Sequence, residues 1–281
     1  LILLNKKWKD IANKYKDLEV SALLLTIDEN KYAELQATTA LPAASTIKIP
    51  ILLAILMMLD QGEISWNEPL VLEKDLIGTG AGWMSYEPIG KSFPIYEIAN
   101  EMIRISDNTA ANLLIERIGG LSSINQFINK IGLKETALNN YLPDLKGTNK
   151  TSARDLAITI ALIENGSLLS NRSRDLFREI MSTSKPNSLI PQGILQGLDS
   201  QKQDDEDYLL SLKGYKVYNK TGDIGISYAD AGLIQMPNNS RVIASFIVKG
   251  PFNDPRSPRL IRELTEAAAR AIKPMSMLEK I

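Results

Sequence analysis

The chain has 281 residues, of which 44% are hydrophobic and 23% charged, a composition that supports a buried core and excludes an extended disordered polymer. Basic residues number 32 and acidic residues 33, so the formal net charge is -1 and no general nucleic-acid surface is expected. There is no Cys and no His, which excludes disulfides, thiol nucleophiles, thiolate-metal sites and any Ser-His-Asp triad.

Residues 1–4 are apolar but lack the basic start and the length of a signal peptide. Residues 5–17 place Trp8, Ile11, Ala12 and Tyr15 at helical spacing and predict a surface helix. Residues 20–28 read as a strand buried on both faces, and Glu29-Asn30 turns it into a second strand over 31–37. Residues 45–59 predict a helix opened by Ser45, with Pro50 in its early turns and apolar residues all round. Its apolar run, 49–59, is far short of the roughly 20 residues that span a bilayer. Further helices are expected over 96–105, 109–118, 122–131 and 152–164, with Gly119-Gly120 as a stop signal. Strands follow at 217–221, 228–235 and 241–248, with a turn at 236–240, and a last helix runs from Pro258 to about Ile272. Strands at both ends of the chain and helices in the middle predict an antiparallel sheet built from both ends, with a helical lobe inserted between.

Three short patterns can carry chemistry without His. Ser45-Thr46-Ile47-Lys48 sets an amine three residues from a hydroxyl, on one helical face. A lysine whose pKa is lowered by burial and neighbouring cations can take the serine proton. Ser106-Asp107-Asn108 reads locally as a helix cap, but it also offers a second hydroxyl for proton relay and an amide to hold a substrate carbonyl. Lys220-Thr221-Gly222 ends a strand with a cation, a hydroxyl and a position open to close backbone approach. Each is common alone. Together, and in this order, S-x-x-K, S-D-N and K-T-G resemble the signature of class A β-lactamases and penicillin-binding proteins. The resemblance covers nearly the whole chain, and residues 106–114 followed by Gly119-Gly120 are similar to the class A pattern in particular.

That resemblance implies an α/β plus α fold: a five-stranded antiparallel sheet with flanking helices and an inserted all-helical lobe. The α/β lobe would take residues 1–42 and 188–281, the helical lobe 43–187, and the active site would lie between them. It implies catalytic roles for Ser45, Lys48, Ser106 and Lys220. Asn108, Thr221, Gly222 and Asp223 would bind substrate, and the backbone N–H groups of Ser45 and Asp223 would form the oxyanion hole. No metal or organic cofactor is implied.

The departure from the family pattern lies in the loop E-P-x-L-N, whose Glu activates deacylating water in class A β-lactamases. One alignment takes Glu135-Thr136-Ala137-Leu138-Asn139 literally; that would make the chain a β-lactamase using Glu135. The other counts without gaps from Ser106 through Ile131-Gly132 and reaches Tyr141-Leu142-Pro143-Asp144-Leu145-Lys146, with Leu142 where the Glu belongs and Lys146 where the Asn belongs. We adopt the second, which needs no deletion before the motif. Leu142 cannot activate water, so a penicillin ester on Ser45 would persist. The chain is thus similar to the cyanobacterial penicillin-binding protein A group. The implied activity is a serine D-alanyl-D-alanine carboxypeptidase or transpeptidase acting on peptidoglycan stem peptides outside the cytoplasmic membrane, as a monomer, with β-lactams as covalent inhibitors. A non-catalytic β-lactam or peptidoglycan sensor is the alternative from another class. An arginine near Ala229, common beside K-T-G, is missing; Arg256 and Arg259 are loose candidates.

Overall fold

The computed structural model describes residues 2–199 and 205–272, so the last nine residues of the expected 188–281 segment, and 200–204 within it, lie outside the described residues, as does Leu1. The strands are β1 (Glu19–Thr26), β2 (Lys31–Leu35), β3 (Leu41–Pro42), β4 (Pro69–Val71), β5 (Ser92–Pro94), β6 (Lys150–Thr151), β7 (Lys216–Asp223), β8 (Ser227–Gln235) and β9 (Arg241–Lys249). The helices are α1 (Ile2–Ala12), α2 (Lys48–Asp60), α3 (Ile95–Arg104), α4 (Asn108–Ile118), α5 (Gly120–Lys130), α6 (Ala153–Glu164), α7 (Asn171–Met181), α8 (Ile190–Gly197), α9 (Glu206–Leu212) and α10 (Arg256–Ile272).

The main sheet has the order β2-β1-β9-β8-β7, every pair antiparallel, so both ends of the chain build it as expected. Its inner strands β1, β8 and β9 are buried on both faces because alternate side chains enter two cores. On β1, Leu23 and Leu25 pack toward α2–α7, while Val20, Ala22 and Leu24 pack toward α1, α8 and α10. Helix α2 is buried from Lys48 through Leu56, as its apolarity on every side requires. No helix among the described residues is long and apolar enough to cross a membrane.

Three local expectations shift. The first helix spans Ile2–Ala12 instead of 5–17, because Leu4, Trp8 and Ile11 supply its buried stripe and Tyr15 reaches the core from a turn beyond its end. Ser45 does not open an α-helix: it sits in a 3-10 turn, Ala44–Ile47, and α2 begins at Lys48. Strand β7 runs on to Asp223, so Lys220, Thr221 and Gly222 lie within the edge strand of the sheet instead of at its end.

Candidate active site

The 3-10 turn matters for the first motif. At three residues per turn, positions i and i+3 eclipse, which sets Lys48 over Ser45 more directly than an α-helix would. Lys48 Nζ lies 3.2 Å from Ser45 Oγ. Neither Ser45 nor Ala43 caps a helix with its side chain, so the Ser45 hydroxyl is not spent on local structure. Ala44, just before it, has φ +48, a left-handed conformation that a residue with a Cβ seldom adopts and that the packing around it must hold.

The second motif closes on the same amine. Lys48 Nζ donates to Ser106 O at 2.6 Å and to Asn108 Oδ1 at 2.9 Å, and lies 3.0 Å from Ser106 Oγ. Ser106 also has a left-handed backbone, φ +61, which turns both its carbonyl and its hydroxyl toward Lys48. The capping role belongs to Asp107, whose Oδ1 accepts from Ala110 N, while its Oδ2 accepts from Trp83 N and Met84 N and pins the preceding loop. Asn108 gives one Nδ2 proton to Thr79 O, which leaves one for a ligand. Lys48 is fully buried. That burial, with the charge of Lys220, pushes its pKa well below the ordinary lysine value, against a smaller opposing pull from Asp107.

The third motif arrives from the sheet edge. A Cβ on Gly222 would stand 2.5 Å from Ser45 N and 2.8 Å from Ala44 Cβ, so only glycine lets β7 pass this close to the serine turn. Lys220 is fully buried, and its Nζ donates a hydrogen bond to Thr221 O at 2.7 Å. Burial lowers its pKa to about 8, opposed by the charge of Asp230. Asp230 is itself buried and raised to about 6 by desolvation, although Asn219 and the Ile190 N–H both donate to it.

Ser45, Ser106, Asn108, Leu142, Lys220 and Thr221 line one cavity of about 490 Å³, with Gly222 and Asp223 at its edge. Leu142 is 6% exposed and is held by a reciprocal pair with Asn112: its N–H donates to Oδ1 at 2.8 Å and its C=O accepts from Nδ2 at 2.7 Å. Gly78 packs against the same carbonyl, where a Cβ would stand 2.4 Å away. Glu135 does not line the cavity. Its N–H donates to Asp155 Oδ2, and burial together with the Asp155 carboxylate raises its pKa. Lys146 is exposed on the loop after Leu142.

Arg256 is spent on Asp17 and Asp254, and Arg259 stands by Tyr15; neither lines the cavity. The arginine that does is Arg262 on α10, half-buried, with its pKa lowered by burial and by the charge of Arg259. Sequence reading passed over Arg262, Asn112 and Asp230. Asp230 left a trace, an acid in the apolar run Ala229-Asp230-Ala231; Arg262 left none, because α10 is arginine-rich throughout.

An antiparallel sheet between two helical layers, with a hydroxyl, two buried lysines and a second hydroxyl converging at its edge, defines a serine hydrolase of the β-lactamase and DD-peptidase fold. A family model described as the β-lactamase enzyme family matches residues 3–272, and the chain belongs to that family. Among curated relatives, it is 28% identical over 258 residues to Beta-lactamase BRO-1 of Moraxella catarrhalis, covering 89% of this chain and 77% of that protein. It is 26% identical to Extended-spectrum beta-lactamase PER-1 of Pseudomonas aeruginosa, covering 78% and 71%. Among solved structures, PBP-A is 37% identical with a TM-score of 0.87, covering 100% of this chain and 97% of that one. A leucine-to-glutamate variant of PBP-A, solved as an acyl-enzyme with penicillin G, matches equally, at 37% and 0.87, covering 100% and 98%.

Proposed function

We propose that the protein is a penicillin-binding serine DD-peptidase acting on stem peptides that end in D-Ala-D-Ala. The observation that carries this reading is Leu142, which lines the cavity together with Ser45 at the position where the family pattern has a carboxylate. Of the two carboxylates that line the cavity, Asp144 does not substitute for it. Both oxygens of Asp144 are taken, by Thr148 Oγ1 and Asn149 N, and one oxygen of Asp223 accepts from Gly225 N. The likeness to PBP-A supports the same reading.

Lys48, whose pKa is pushed well down by burial and by the charge of Lys220, takes the Ser45 proton as Oγ adds to the carbonyl of the penultimate D-Ala. The oxyanion forms between the N–H groups of Ser45 and Asp223. Its collapse breaks the C–N bond. The leaving amine receives a proton from Ser106, which Lys48 replaces, and Lys220 supplies positive potential beside it. Water or an incoming amine then cleaves the ester. A β-lactam acylates Ser45 by the same steps, and its ester persists because nothing at position 142 activates water. The substrate places the protein outside the cytoplasmic membrane.

The test is mass spectrometry of the protein after benzylpenicillin treatment, alongside D-Ala release from a D-Ala-D-Ala peptide. A long-lived adduct on Ser45 with multi-turnover peptide cleavage is expected. Rapid loss of the adduct with drug turnover would establish a β-lactamase. A stable adduct with no peptide product beyond one equivalent would establish a sensor.

A further inference from the structure

Positive charge is concentrated at one end of the molecule. Residues 5–17 carry five lysines, Lys6, Lys7, Lys9, Lys14 and Lys16, against two aspartates, whereas the whole chain is close to neutral at -1. Leu4, Trp8 and Ile11 take the buried face of α1, so the lysines between them, and those in the turn that follows, are all exposed. Among the described residues none of the five makes an ion pair or a side-chain hydrogen bond, although other exposed lysines do, Lys31 with Glu34 and Lys249 with Glu19. Asp17 is drawn away by two hydrogen bonds from Arg256, which leaves Asp10 as the one acid of the segment to oppose five amines. Clustered like charges repel one another, a cost that an anionic partner removes. Two further observations say what that partner is. Leu3, on the first turn of the same helix, is 83% exposed, and at three and four residues' separation it neighbours Lys6 and Lys7 on the helix surface. A groove of about 410 Å³ is lined by Lys9 and Lys16 together with Asn13 and Gln36, whose side-chain amides have no hydrogen-bond partner among the described residues. Two amines and two amides around one hollow suit a phosphate. An exposed leucine among lysines suits a lipid interface and gains nothing from a soluble polyanion.

We propose that this end of the molecule docks on an anionic lipid surface: the lysine amines meet headgroup phosphates, the Lys9–Lys16 groove seats one headgroup, and Leu3 enters the acyl boundary. The contact lies on the membrane surface and does not span it. It goes beyond the DD-peptidase reading and does not depend on it. The sheet order sets this surface at the edge away from the catalytic serine. Asn5 accepts from the Glu34 N–H on β2, and Val20 of β1 and Leu35 of β2 line the groove, whereas Gly222 meets Ser45 from β7 at the other edge. Four strand spacings separate β2 from β7, about 19 Å at about 4.8 Å each. No residue lines both the groove and the Ser45 cavity, so docking through α1 leaves that cavity open.

Co-sedimentation with vesicles tests this, comparing phosphatidylcholine alone with phosphatidylcholine and phosphatidylglycerol in equal parts. The protein is expected to bind the anionic vesicles only, and to leave them as salt rises from about 0.1 M to about 1 M and the Debye length falls from about 10 Å to about 3 Å. Each lysine near such a surface contributes about fivefold, so the triple variant Lys6→Gln, Lys9→Gln, Lys16→Gln should bind about 100-fold more weakly. The matched variant Lys130→Gln, Lys134→Gln, Lys213→Gln removes the same charge from exposed sites elsewhere and should bind within about threefold of the native protein. Leu3→Gln, which keeps every charge, should weaken binding about tenfold. Thermal unfolding of each variant reports that the fold is intact. Equal sedimentation with the two vesicle types, or equal losses in the two triple variants, would overturn the inference. So would binding to soluble polyglutamate as tight as to the anionic vesicles and indifferent to Leu3→Gln, which would assign the lysines to an acidic polymer.

Discussion

Replacing Gly222 by Ala tests the closest approach in the site. The added Cβ would stand 2.5 Å from Ser45 N, 2.8 Å from Ala44 Cβ and 3.1 Å from Thr46 N, whereas ordinary contact begins near 3.4 Å. The nearest overlap is with backbone nitrogen, so no side-chain rotation relieves it. Either the serine turn or β7 must retreat by about 0.9 Å, the difference between those two distances. The turn is already constrained by the left-handed Ala44 and by the hydrogen bonds of Lys48, and β7 is bound to β8 along its whole length. A retreat of that size stretches a good hydrogen bond from the Ser45 or Asp223 N–H to the oxyanion beyond useful length. Loss of one such donor costs about 10²–10³-fold in rate. Acylation by benzylpenicillin, followed as adduct mass against time, should slow by that factor, while thermal unfolding under the same conditions reports whether the fold survives. A folded Gly222→Ala protein acylated within about threefold of the native rate would refute the reasoning, because no donor would then have been displaced.

Leu142→Glu should speed release of bound penicillin, toward the low end of the roughly 10²–10⁴-fold range of general-base catalysis, since burial raises the new carboxylate's pKa; an unchanged adduct lifetime would count against the alignment. Glu135→Ala should leave that lifetime unaltered, because Glu135 is outside the cavity; a longer lifetime would restore the β-lactamase alternative. Acylation should rise with pH as Lys48 loses its proton and fall as Lys220 neutralises near its pKa of about 8. Asp230 holds the Lys220 pKa up, so Asp230→Asn should move the falling limb to lower pH; a limb that stays in place would show that Lys220 does not set it. Asn112→Leu strands the Leu142 N–H and C=O, and urea unfolding should report a loss of roughly 1–3 kcal/mol for each group. A loss below about 0.5 kcal/mol would mean that water replaces the amide there.

Local chemistry was readable wherever it depends on neighbours in the chain. The near-continuous apolar run of residues 20–25, the all-round apolarity of α2 and the Gly119-Gly120 break each produced the element expected, since composition, propensity and backbone freedom act over a few residues. Where a boundary moved, a distant partner moved it. Strand β7 reaches Asp223 because β8 pairs with it as far as Tyr228, and α1 starts at Ile2 because Leu4 has a core to enter. The 3-10 turn at Ser45 is of the same kind: its backbone is dictated by Gly222, 177 positions away, pressing on it from the sheet.

Three motifs in order along the chain were enough to raise the family resemblance, and it was the resemblance that named Ser45, Lys48, Ser106 and Lys220 as partners. Their spacing in space was not readable from the motifs. Lys48 meets Ser106 across 58 positions, and Leu142 is held by Asn112 across 30. Burial of both Lys48 and Lys220, which lowers the pKa of each, is a property of the closed interior, where for Lys48 removal of water and the neighbouring Lys220 charge act together. The same holds for Arg262, one of several arginines on its helix and set apart from them by lining the cavity. Covalent order determines which groups are available; only packing decides which of them share a dielectric and a ligand.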